Sequence, residues 1–427
     1  MKVFRYISLI LVTIVYVSCS GTSEEQLIGD WDKRSVLPTT QRSFAASFVI
    51  GDVGYVVGGF NTNNPPLTDV IAFVHNEGSR VDNDPTRTLG RWVRGLSDYE
   101  VETEMKMLPR QQAVGFSVGG FGYVGSGWVW TRIPREGRDD YATSNDFWQY
   151  DPTADSWKEI APLPGRPRRG AFAFTLSVGG KEYGFVGGGY TDRHGFDYSV
   201  NIYEPNNRLR SEYLNDLWRY DPEGSTTVTR IRRDGEADIT ETVTLPGSWE
   251  EIDDAHFEKR FGAVAFVINN KAYICNGENP TLINDFWEYD PNNPNPSVVW
   301  RRLRTMNKVH PDDSYDEEYR ALGRTHGVAF VVRVPERNNS LTAHIVGGRQ
   351  SPNASTNWEY DEIEDLWTQR TRLVNNQTSL VRQGMVSFSF PSTGRAFVGL
   401  GQSGSAYFDD MWEFIPWVED NIYRDAQ

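Results

Sequence analysis

The chain has 427 residues, 38% of them hydrophobic and 13% aromatic, and a formal net charge of −15. That apolar share can bury a sizeable core, while the acidic balance argues against a nucleic-acid partner, whose phosphates the chain would repel. Abundant Trp (14), Tyr (20), Phe (22) and Gly (39), with few alanine/leucine/glutamate stretches, favours packed strands over helices.

The N-terminus reads as a leader rather than as part of the fold. Lys2 and Arg5 precede an apolar run from Ile7 to Val17 that is too short to span a bilayer comfortably, and Ser18 and Cys19 follow. This segment resembles the bacterial lipobox, although Tyr16 stands where Leu, Val or Ile is usual. The resemblance implies a signal peptide over 1–18 and acylation of Cys19, the lipid being the membrane partner. Residues 20–26 (SGTSEEQ) then form a polar tether within a lipidated segment 19–26. Glu24–Glu25 resembles the acidic surface-export signal of Bacteroidetes lipoproteins. The expected location is the cell envelope, lipid-anchored at the outer membrane, with either side open. Removal of Lys2 and Arg5 takes the net charge from −15 to −17. Cys19 and Cys275 are the only cysteines, so acylation of Cys19 leaves no internal disulfide and stability must come from packing.

An internal repeat organises the rest. An Arg is followed six residues later by Phe at Arg42/Phe48, Arg110/Phe116, Arg168/Phe174, Arg260/Phe266, Arg324/Phe330 and Arg382/Phe388. Positions three and five after the Arg are small, apart from Met385, and position four is mostly larger and apolar, the alternation of a strand buried on both faces. A second strand ends in glycine each time, as in Tyr55–Gly59, Phe185–Gly189 and Tyr273–Gly277. A third carries an aromatic pair (NDFWQYD at 145–151, NDLWRYD at 215–221, NDFWEYD at 284–290), and a fourth opens with Trp92, Trp157, Trp249, Trp300 or Trp367. The sixth unit has no such Trp after Phe414. Trp31–Pro38 matches Trp157–Pro164 in its spacing to Leu-Pro, so the N-terminal strand is expected to complete the last unit. Paired glycines, an aromatic and a following Trp make these units resemble the kelch repeat. The fold class expected is all-β: a six-bladed kelch-type β-propeller over residues 27–420, with four-stranded blades, the last closed by the N-terminal strand, and a tail at 421–427.

Strand direction places the loops. The second-to-third-strand loops and the links between units share the Arg-bearing face, together with the insertions 95–109, 128–144, 190–214 and 304–323 and their many aromatics. The insertion 222–248 falls on the other side and reads as a hairpin around Asp234–Gly235. Arg42, Arg110, Arg168, Arg260, Arg324 and Arg382 occupy equivalent places and are the candidate ligand-binding set. Either each is paired with a nearby carboxylate or carbonyl, or together they form an anion site at the channel mouth.

Kelch folds include enzymes. A copper radical oxidase resembling galactose oxidase needs a Tyr–Cys cross-link and His ligands; Cys275 sits in a glycine-ending strand and the six histidines show no ligand spacing, so neither metal nor cofactor is expected. Asn276-Gly277-Glu278 resembles the segment of the bacterial N-acetylneuraminate epimerase family that carries its acid/base glutamate, which would make Glu278 the counterpart. The Arg that follows there is absent here. The function expected is a non-catalytic, monomeric binding module for a glycan or envelope protein on the Arg-bearing face. The alternative is an enzyme acting on an acidic sugar with Glu278 as acid/base.

Overall fold

The computed structural model describes residues 27–62, 66–81, 84–96, 107–130, 141–202, 209–234, 237–252, 255–306, 321–349, 355–375, 378–379 and 381–419. The leader, Cys19, the tether, the C-terminal tail and parts of the long insertions lie outside them.

The described chain is all-β, built of four-stranded antiparallel sheets in the manner of a β-propeller. Five sheets take their strands in sequence order. The first contains Ala46–Ile50, Val53–Val57, Val70–Val74 and Arg91–Val93; the second, Val114–Val118, Phe121–Gly125, Phe147–Asp151 and Ser156–Ile160. The third comprises Phe172–Val178, Lys181–Gly187, Leu217–Asp234 and Ala237–Glu251; the fourth, Val264–Ile268, Lys271–Cys275, Phe286–Tyr289 and Trp300–Arg302. The fifth runs through Val328–Val334, Ser340–Val346, Asn357–Asp361 and Leu366–Arg370. In the sixth, Val386–Phe390, Arg395–Gly399 and Met411–Glu419 are joined by Ile28–Lys33 from the N-terminus, with Trp31 opposite Phe414.

The alternation in the first strands explains how neighbouring sheets meet. Phe48 lies over Gly122 of the next sheet, Phe116 over Gly184, and Phe388 over Gly54, so closely that a Cβ at any of these glycines would fall within 3 Å of the ring. Among the described residues, six of the seven core clusters accordingly mix two consecutive sheets, the seventh lying within the Arg-face insertions. Phe388, Phe390 and Phe397 of the sixth sheet pack with Ile71, Phe73 and Trp92 of the first.

Two series of backbone hydrogen bonds run around the molecule. The residue two after each repeat Arg donates to its counterpart in the preceding sheet: Gln112 to Phe44, Gly170 to Gln112, Gly262 to Gly170, His326 to Gly262, Gly384 to His326, and Phe44 to Gly384, at 2.8–3.4 Å. The glycine ending each second strand donates to the repeat Arg carbonyl of the following sheet, from Gly59 to Arg110 through to Gly401 to Arg42, at 2.7–3.1 Å. The small residues at the third and fifth positions, among them Ala45, Gly115, Ala173 and Ala265, line an axial channel beneath the first series.

The hairpin expected within 222–248 is present, Thr226 to Arg232 pairing with Ile239 to Leu245. It does not stand clear on the far side. Pro246 accepts from Ala161 N–H, Arg230 is bonded to Glu159, and Ile231 exchanges backbone bonds with Val200 and Ile202 of the Arg-face insertion. Its Arg230, inaccessible to water, is drawn back by Glu159 and Glu241. On the Arg face, Trp128–Trp130 and Tyr141–Ser144 form a further small sheet with Arg110–Gln111 and Gly195–Phe196.

Candidate functional site

All six repeat arginines are buried, with at most 1% of their surface exposed, which does not fit a ring of cations open to a ligand. A buried guanidinium needs carboxylate and carbonyl partners within its own sheet. Arg42 meets Asp69 at 2.6 Å, Arg110 meets Asp146 at 2.6 Å, Arg168 meets Asp216 at 2.6 Å and Arg382 meets Asp410 at 2.5 Å; Arg260 is paired with Asp285. Each also donates to a carbonyl at the end of the second strand, such as Gly58, Ser126 or Gly188, at 2.9–3.1 Å. Arg324 differs: Thr356 stands where the others have Asp, and its donors go to Gly347, Thr356, Leu322 and Ala321 oxygens. Burial without a carboxylate pushes its pKa down to about 10. Of the two alternatives for Arg42, Arg110, Arg168, Arg260, Arg324 and Arg382, the ligand-binding set at the mouth is therefore corrected and pairing in place is what the structure has: these groups fasten strands within each sheet.

Several residues just after a repeat Arg or a glycine-ending strand face a cavity on this side, among them Arg169, Tyr190, Phe261, Glu278 and Arg349. They meet in short antiparallel bridges, Arg169 with Tyr190, Phe261 with Glu278 and Thr325 with Arg349. These three bridges, from the third, fourth and fifth sheets, wall a cavity of about 450 Å³ whose lining includes Phe44, Gln112, Asp192, Tyr213 and His326. That volume suits a small-molecule ligand.

Arg169 is held from all sides. Its guanidinium lies 4.8 Å from the Phe261 ring, 5.0 Å from Trp128 and 5.4 Å from Tyr190. Nε donates to Asp192 at 2.9 Å and Nη1 to Gln112 at 2.7 Å, and among the described residues Nη2 makes no hydrogen bond. Arg349, 46% exposed at its side chain, donates one Nη2 bond to Glu278 Oε1 at 2.8 Å. Glu278 is buried at the cavity wall. Tyr213 packs its ring 5.0 Å from Tyr190, and its phenol pKa is raised by burial and then by Glu278. His326 also faces both cationic groups; burial and the charges of Arg349 and Arg169 push its pKa down to about 3, so the ring is neutral.

Of what the sequence pointed to, the cavity brings together Glu278 and two aromatics of the 190–214 insertion, Tyr190 and Tyr213, but none of the six repeat arginines. Arg169, Arg349, Phe261, Gln112 and His326 lie at places where the repeat changes from unit to unit. That variation, at positions one and two after a constant Arg and one after a constant Gly, is the signal that could have found them.

The fold and this mouth cavity define an all-β, propeller-like protein with a polar, aromatic-lined site on one face. No family model matches the chain, and no curated protein does. Among solved structures it is similar to the one titled "Structure of YjhT", with a TM-score of 0.56 and 16% identity over 88% of this chain and 96% of that chain. At that identity the likeness concerns the fold.

Proposed function

We propose that the protein is a six-bladed kelch-type propeller, closed by its N-terminal strand and anchored to the envelope through lipid on Cys19, that binds an acidic sugar or glycan in the mouth cavity without transforming it. The six four-stranded antiparallel sheets that the repeat units build, apart from the mixed sheet on the Arg face, together with the pairing of Ile28–Lys33 with Met411–Glu419 and the two cyclic hydrogen-bond series, support the blade count and closure. The observation that carries the binding reading is Arg169: a guanidinium fixed by three aromatic rings, with Nη2 unengaged among the described residues, beside a second guanidinium at Arg349. A guanidinium fixed in advance loses little freedom on pairing with a carboxylate. Tyr190 and Tyr213 offer ring surfaces for the C–H faces of a sugar.

A second reading, acid/base chemistry on the same sugar, draws on the burial of Glu278 at this wall and its bond to Arg349. General base catalysis needs such a carboxylate within reach of the proton it takes. Calorimetry with N-acetylneuraminate tests the first reading: Arg169→Met is expected to abolish binding, and unchanged binding in that variant overturns it. Accelerated anomeric exchange of the sugar, seen by NMR with wild type and lost in Glu278→Gln, would establish the second.

A further inference from the structure

We infer that His326 is the hydroxyl-recognising group of the cavity: its Nε2 accepts a hydrogen bond from a hydroxyl or amide N–H of the ligand, so the site selects hydroxylated carboxylates over plain ones. The charge half of that selection rests on the acidic-sugar reading; the His326 half does not.

His326 belongs to the cyclic series of residues two after each Arg, all in the left-handed region. Three of the six are glycines, and three are Phe44, Gln112 and His326 at φ of 54°, 54° and 57°. A side chain held there is strained backbone that surrounding structure must sustain, and such strain gathers at functional positions. The side chains of Phe44, Gln112 and His326 all line the cavity, and the same residues line the top of the axial channel, so they form the floor between the two. Gly262 makes room for the imidazole: a Cβ there would lie 2.7 Å from His326 Cε1. Phe261 and Phe44 pack edge-on against the ring at 4.6 and 5.3 Å.

The hydrogen bonds around the ring decide what it presents. Nδ1 lies 3.0 Å from Thr325 Oγ1, which also lies 3.3 Å from the Phe261 carbonyl and 3.4 Å from that of Gly262. Were the hydroxyl proton turned to Nδ1, its oxygen lone pairs would face two carbonyl oxygens. The arrangement free of that repulsion has Thr325 donating to carbonyl and Nδ1–H donating to Thr325. The neutral ring then carries its lone pair on Nε2. That atom is buried and, among the described residues, has no hydrogen-bond partner, on a residue only 9% exposed. An unsatisfied buried acceptor is costly, and a ligand donor satisfies it. The two guanidiniums, facing the same space, supply donors for a carboxylate but no acceptor, and the cavity carboxylates Asp192 and Glu278 are engaged by them, so His326 provides the neutral acceptor of the set.

The internal repeat supplies the variants. His326→Phe places at this position the residue that already occupies its counterpart at 44, keeping ring packing and left-handed backbone while removing Nε2. His326→Gln places the residue found at 112 and restores an amide acceptor. Calorimetry would use three probes: N-acetylneuraminate, its methyl ester, which keeps the hydroxyls without the charge, and cyclohexanecarboxylate, which keeps the charge without hydroxyls. His326→Phe is expected to weaken N-acetylneuraminate about tenfold, the scale of one lost hydrogen bond. His326→Gln should recover part of the loss, and cyclohexanecarboxylate should bind the variants and wild type equally. N-acetylneuraminate binding His326→Phe as tightly as wild type overturns the inference and leaves the acidic-sugar reading standing. Methyl ester binding as tight as the free acid, with the His326→Phe loss preserved, overturns the charge reading and supports the inference. Absence of wild-type binding to both sugars at millimolar concentration overturns both.

Discussion

The backbone N–H of Phe44 donates to the carbonyl of Gly384 at 2.8 Å, joining the first repeat to the last by the bond that joins every other consecutive pair. Trp31 anchors the N-terminal strand elsewhere, between the sixth sheet and the fifth. It is 1% exposed, lies 4.9 Å from Phe414 and donates Nε1 to the Thr371 carbonyl of the fifth sheet at 2.9 Å. The proposed closure makes Trp31→Ala cost about 3–5 kcal/mol. Chemical denaturation checks it; an unchanged midpoint would show that the N-terminal strand is only a tether.

Thr356→Asp is expected to stabilise the protein. In four sheets the Trp two residues on donates Nε1 to the Asp that holds the repeat Arg, as Trp148 does to Asp146 at 2.7 Å. Trp358 makes the same bond to Thr356 Oγ1 at 3.1 Å, so the geometry awaits a carboxylate beside Arg324. Bonds to a charged group of this kind contribute about 1.5–3 kcal/mol. A fall in melting temperature would refute the assignment. Arg110→Met tests the converse, stranding Asp146 in the interior at a cost of about 3–5 kcal/mol.

Stability should decline on mild acidification. His326 and His344 are buried and neutral, their pKa values pushed from 6.5 to about 3 and about 4, chiefly by burial. The unfolded chain takes up protons below about pH 6.5 that the folded chain refuses, so their contribution is full above that pH and is lost as pH falls toward 4. Each histidine adds a slope of up to about 1.4 kcal/mol per pH unit. Denaturation midpoints at pH 7.5, 6 and 5 measure it. His344 stacks on Phe330 where the third sheet pairs Phe185 with Phe174, so His344→Phe should fold and flatten the slope. An identical slope in that variant would assign the effect elsewhere.

Cys19→Ala should move the protein from the membrane pellet to the soluble fraction of fractionated cells. Retention in the pellet with an uncleaved N-terminus would overturn the lipoprotein reading.

The repeat was legible because it answers to symmetric demands. Phe48 and its counterparts must fill space beside small residues of the next sheet, and the Trp residues must close the outer edge, so the same residue types recur at fixed spacing. Even the partners of Arg110, Arg168 and Arg260 were written in the chain, as the Asp before the aromatic pair in NDFWQYD, NDLWRYD and NDFWEYD. What misled was the reading of six equivalent cations as a site. Equivalence around an axis is what architecture requires; a ligand lacking that symmetry requires the opposite.

The sequence by itself thus determined the all-β sheets, their strand order and the N-terminal strand's place beside the last, because alternation, glycine and Trp positions are local and repeated. Only the tertiary structure decided which charges are buried and which face the cavity. Arg168 and Arg169 are neighbours in sequence, yet one is sealed against Asp216 and the other is clasped by Phe261, Trp128 and Tyr190, side chains brought from three different segments. The fate of a guanidinium depends on which partners the fold brings within a few ångströms, and spacing along the chain does not carry that information.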